Sequence, residues 1–185
     1  MGTQRHYLRM PPAALANLMA READVVEALW KLYSDADGDA VAGVADGNPD
    51  LVTILDVGKS WQELDVVLAA AGISLDEANG TEYVWPPTPG RTEEPDWPYL
   101  NPIERRWWMP PTFLPVAAVS ALAARVTAVD LEAVYDAIPP QYWETKHYVR
   151  ADDWLRTGTL QACHQWRRFI LAAARDGHVV ASVFR

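Results

Sequence analysis

Residues 85–115 hold Pro86, Pro87, Pro89, Pro95, Pro98, Pro102, Pro110, Pro111 and Pro115, nine of the chain's 14 prolines. The same window holds Trp85, Trp97, Trp107 and Trp108, four of its 9 tryptophans. Proline removes the backbone donor and fixes φ, so this stretch can form neither a long helix nor a central strand. Tryptophan at that density is foreign to ordinary disordered sequence. The window therefore reads as an extended loop whose rings must be buried against something, and the fold has to be built from the residues on either side.

Length sets the scale of that fold. The 185 residues suffice for one compact domain, 1–185, with the Pro/Trp-rich stretch as an insertion at about residues 74–110. A domain of this size buries roughly 70% of the surface its unfolded chain exposes, so it needs neither a disulfide nor a structural metal. Cys163 is the single cysteine, which excludes an internal disulfide and a multi-cysteine zinc site. No apolar run approaches the roughly 18 residues of a membrane span, and the N-terminus lacks an apolar signal core. The expectation is a cytoplasmic protein with no membrane partner. Its 16 Lys and Arg against 25 Asp and Glu leave a formal charge of −9, which argues against nucleic acid as a partner.

Along the chain, residues 4–10 read as a short strand stopped by Pro11. Pro12 opens a helical stretch that runs to about Tyr33 in two pieces broken near Arg21. Turn residues mark a loop over 34–50, and residues 51–55 read as an extended piece. Asp56 stands where an N-cap would, ahead of Val57, Trp61, Leu64, Leu68 and Ala71 at helical spacing, with Gly72 as the stop. Pro115 opens a helix with Val116, Val119, Leu122 and Val126 on its apolar face. A short helix follows with Leu131, Val134, Tyr135 and Ile138, ended by Pro139 and Pro140. Residues 141–158, with Tyr142, Trp143, Tyr148 and Trp154, read as an aromatic loop. The longest amphipathic helix is expected from Thr159 to about Arg175, closed by Gly177, and the last residues read as a strand covered on both faces. The sum is an α+β domain: five or six helices packed on a small mixed sheet that includes the N- and C-terminal strands.

The start HYLRMPPAALANLM, the central LDVGKSWQELDVVL, the helix pair LPVAAVSALAARVTAVDLEAVYD and the closing helix, glycine and strand resemble, in that order, the YfbM-like family of bacterial proteins. The resemblance covers most of the chain outside about residues 74–110. Its most specific stretch is Leu55, Asp56, Lys59, Trp61 and Leu64, similar to a Leu-Asp-x-x-Lys-x-Trp-x-x-Leu signature. It implies an α+β fold and residence in the bacterial cytoplasm, and no reaction, since the family's function is unknown. Members resemble one another in histidines just after that tryptophan, where this chain has Gln62 and Asp65. Histidine chemistry therefore does not carry over.

Tests for chemistry return little. Asp35, Asp37 and Asp39 have the alternation of a calcium loop, but the sixth position is Ala40 and the twelfth is Asp46 rather than Gly and Glu. The four histidines are scattered, so no metal site is expected. His164 adjoins Cys163, but helix neighbours point about 100° apart, and the thiol falls mid-way along an apolar arc as a buried, inert group. Phosphate-cradling glycine motifs are absent. Arg167 falls inside the same arc, where it must find a carboxylate, stack on a ring or bend its head to water; its functional reading is an anion-binding group in a pocket lined by tryptophans.

No catalytic residue and no cofactor is expected, and contact remains. Asp35, Asp37, Asp39 and Asp46 form an acidic run, while Trp97, Arg105, Arg106, Trp107, Trp108, Tyr142 and Trp143 are of the types that make interface hot spots, with His164 and Arg167 beside them. The expected function is a non-catalytic protein-binding module, within that class an immunity or antitoxin protein that neutralises a basic partner. The alternative is a binding protein or enzyme for a small anionic ligand, with a Trp-lined pocket near the last helix.

Overall fold

The computed structural model describes residues 5–21, 53–57, 60–74, 78, 81–82, 112–147 and 153–184. The second half of the first helical stretch, the acidic loop and nearly all of the Pro/Trp-rich insertion lie outside the described residues.

Strands β1 (Arg5–Met10), β2 (Thr53–Asp56), β3 (Thr81–Glu82), β4 (Thr112–Leu114) and β5 (Val179–Phe184) form one sheet in the order β2-β1-β5-β4-β3. The α+β architecture with both terminal strands in the sheet is as expected. Every pairing is antiparallel, however, so the sheet is not mixed. The helical connection between β4 and β5 returns the chain to the end of the sheet it left, with Val180 opposite Leu114, and so β5 runs against β4.

Strand alternation divides the apolar residues between two cores. Tyr7, Leu55, Leu114 and Val180 join the larger cluster under the helices. Leu8, Met10, Ile54, Phe113, Val179 and Ala181 face the other way, with Ala14 and Leu15 of α1 (Pro12–Arg21) packed on them. The register sets Ile54, Leu8, Ala181 and Phe113 in one row across four strands.

Helix α2 (Trp61–Ala70) begins after Ser60, not at Asp56. Asp56 instead ends β2 opposite His6, so the strand ladder claims the residue that the sequence offered as a cap. Gly72, at φ +76, turns the chain out of α2, and Gly177, at φ +66, does the same ahead of β5. Helix α3 (Val116–Thr127) and α4 (Leu131–Ala137) are where periodicity placed them. The Asp130 carboxylate accepts from the Ala133 amide at 3.0 Å and caps α4, an arrangement worth about 1 kcal/mol.

The aromatic loop expected over 141–158 is instead mostly helix: α5 (Pro140–His147) and the first turns of α6 (Asp153–Arg175). Pro140 occupies a first-turn position, where a missing donor does no harm. Trp143, 1% exposed, is drawn into the core, its ring stacked on Tyr135 at 5.2 Å. Helix α6 starts at Asp153 rather than Thr159 because Leu155 is buried and Arg156 reaches Asp136. Together these outweigh the roughly 1 kcal/mol that Gly158 costs within the helix.

Candidate functional site

Of the residues singled out from sequence, Asp35, Asp37, Asp39, Asp46, Trp97, Arg105, Arg106, Trp107 and Trp108 lie outside the described residues. The other four do not form one site. Trp143 is a core residue rather than a contact residue, and only its neighbour Tyr142, 39% exposed and edge-on to it at 6.0 Å, reaches the surface. The His164 Nε2 on α6 lies 2.8 Å from Glu132 Oε1 on α4. Arg167 donates from Nη1 to the Val129 carbonyl at 3.2 Å and from Nη2 to the Thr127 carbonyl at 3.0 Å. Those carbonyls belong to the end of α3 and the turn after it, groups that a helix leaves unsatisfied. The guanidinium therefore locks α6 to the α3–α4 turn by reaching main chain, rather than an anion in a pocket.

The residues that the structure does bring together surround α4. Asp130, Glu132 and Asp136 are all exposed, and no Lys or Arg occurs between Arg125 and Lys146. Arg156 of α6 grips Asp136 with Nε at 2.9 Å and Nη2 at 3.0 Å, its guanidinium 5.9 Å from the Tyr135 ring centroid. The hydrogen bond from Arg156 holds the Asp136 carboxyl below its ordinary range. On the other flank of α4 lies an open groove of about 550 Å³, lined among others by Ala70 at the end of α2, by Ala71 just after it, and by Val129, Ala133, Val134 and Ile138. An acidic ridge thus borders an apolar trough.

Trp154, which the sequence assigns to an aromatic loop and not to the candidate site, is 80% exposed on the first turn of α6. The signal was present: Leu155, Thr159, Ala162, Cys163 and Trp166 continue one helical arc backward through the glycine.

Two buried ion pairs were also invisible in sequence. Arg5 Nη1 donates to Asp65 Oδ1 at 2.6 Å and approaches the Tyr7 hydroxyl at 3.5 Å, with the guanidinium 4.8 Å over the Trp61 ring. Burial pushes the Tyr7 phenol well above its usual range, so it stays protonated. Asp65 thereby clamps α2 to β1. At the far end of β1, Arg9 Nη1 donates to Asp176 Oδ2 at 2.6 Å, and Arg175 Nε donates to Asp176 Oδ1 at 2.7 Å. Both constellations hold elements together and leave no carboxylate facing an open cavity.

Cys163 is buried, and desolvation raises its thiol to about 12. The native protein is expected to give no reaction with a thiol-specific disulfide reagent at neutral pH, and one equivalent after denaturation. Rapid native labelling would contradict the burial. Among the described residues no group of three or more His, Cys, Asp or Glu could hold a metal ion, and no helix is long and apolar enough to cross a membrane. Set against protein-family models, curated proteins and solved structures, the chain matches none.

Proposed function

We propose that the chain is a non-catalytic protein-binding module that captures a basic partner through the surface around α4, within that class an immunity or antitoxin protein of the YfbM-like kind. The observation that carries this reading is the pairing of exposed Asp130, Glu132 and Asp136 with the adjoining apolar groove. Carboxylates on a rigid helix accelerate encounter with a positive surface, and the trough supplies desolvated area once contact is made. The net charge of −9 acts in the same direction at longer range.

The test is co-purification of the tagged chain with the product of a neighbouring gene, followed by stopped-flow association kinetics. Glu132→Lys with Asp136→Lys is expected to slow association by about tenfold at low salt, with the gap closing as ionic strength rises. Asp130 is left intact because it caps α4. Absence of any basic partner, or an association rate indifferent both to salt and to the two reversals, would overturn the proposal.

A further inference from the structure

The outward face of α6 carries Trp154, Thr157, Gly158, Gln161, Gln165 and Arg168, all exposed or half-exposed. Two of these are unexplained by the monomer. Trp154 leaves most of a large indole in water. Gly158 sits inside a 23-residue helix, with nothing within 4 Å of where a Cβ would stand, so among the described residues no packing demands a glycine there. Alanine would be the more stable choice.

The charges on this face are also ordered. Asp153 lies at its N-terminal end and Arg168 at the other, with Thr157, Gly158, Gln161 and Gln165 uncharged between them. Arg156 and Arg167 are turned away toward α4 and the turn before it. A stripe with opposite charges at its two ends matches a copy of itself only when the copy runs antiparallel, since a parallel copy sets like charge on like.

We propose that a second copy of the chain docks on this face, the two α6 helices packing antiparallel about a twofold axis at Gln161. That axis sets Asp153 and Trp154 opposite Arg168 of the second copy, Thr157 opposite its Gln165, and Gly158 opposite its His164. The guanidinium stacks on the indole and pairs with the carboxylate, and symmetry supplies each contact twice. Gly158 lets the two backbones approach. The paired stretch is about 21 Å long, a small interface, so the dimer is reversible and depends on concentration. The acidic ridge on α4 adjoins this face at His164, which lies 2.8 Å from Glu132, so the two readings are told apart by variants at the far side, Trp154 and Arg168, which leave the ridge carboxylates intact.

Sedimentation equilibrium of the full chain, from low micromolar to near-millimolar concentration, tests the proposal. The wild type is expected to show a monomer–dimer equilibrium, and Trp154→Ala to weaken it by at least about tenfold. Asp153→Arg or Arg168→Asp alone is expected to weaken it, and the two together to restore it. Gly158→Ala is expected to raise the melting temperature while weakening the dimer, a split that a purely structural glycine would not produce. A chain that stays monomeric throughout the range overturns the proposal. So does a dimer indifferent to Trp154→Ala, or one whose charge reversals do not rescue each other. A Trp154 variant that loses a basic partner while wild type stays monomeric would give this face to that partner instead.

Discussion

Asp65→Ala is expected to destabilise the fold by about 3 kcal/mol in urea unfolding, because it leaves the Arg5 guanidinium without its carboxylate in a site where the arginine side chain is only 5% exposed. The 2.6 Å contact joins the first strand to α2 across 60 residues of sequence, so its loss also loosens that helix from the sheet. Replacing both partners together, as Arg5→Met with Asp65→Leu, is expected to recover most of the deficit, since neither buried charge then remains. The Trp61 ring over Arg5 would keep an apolar neighbour in that variant. A single Asp65→Ala change within about 0.5 kcal/mol of wild type would show that the pair is not desolvated as described.

Asp176→Ala is expected to have an effect of similar size, about 3 kcal/mol, by stranding Arg9. The Arg9 side chain has no exposure, and among the described residues its Nε and Nη2 have no hydrogen-bond partner, so the Nη1 contact to Asp176 is its one ionic anchor. The hydrogen bond from Arg175, reinforced by that from Arg9, holds the Asp176 carboxyl well below the usual carboxylate range. A carboxyl depressed in the folded state contributes stability above its unfolded value of about 4, and that contribution is lost as pH falls through the folded one. The gap in urea midpoint between wild type and Asp176→Ala should therefore begin to narrow below about pH 4, still be largely present near pH 3, and close only as pH falls through the depressed folded value. A difference that does not narrow at all between pH 6 and the lowest pH at which the wild type still folds would show that the mutation acts through packing rather than charge.

The helices whose apolar residues recur without interruption were legible in the sequence. Val119, Leu122 and Val126 of α3 and Leu131 and Tyr135 of α4 are buried as their spacing foretold. Both terminal strands were legible as well, the first as a short segment stopped by Pro11 and the last as an apolar run after Gly177. Misreadings arose where a local signal was overruled by a distant one. Asp56 has a good capping side chain, but pairing with β1 takes it into the sheet. Gly158 looks like a helix stop, but Leu155 on one side and Cys163 and Trp166 on the other are all buried, and helix is the conformation that buries them together.

The surface around α4 was legible only in part. His164 was singled out, but its neighbour Glu132 stands 32 residues away. Arg167 was recognised as misplaced on an apolar arc, but its carbonyl partners lie 38 and 40 residues back and carry no residue-type signature at all. Main-chain acceptors are the same for every amino acid, so contacts to them leave no trace in composition or spacing.

The sheet order bears on how the chain is made. β5, which stands between β1 and β4, is the last of the described elements to leave the ribosome, although its partner β1 is the first. During synthesis β1 can pair with β2, and β3 with β4, but the sheet has no strand between those two pairs until Val179–Phe184 emerges. The nascent chain therefore waits with an unpaired strand edge on each pair, the state in which a chaperone is most needed.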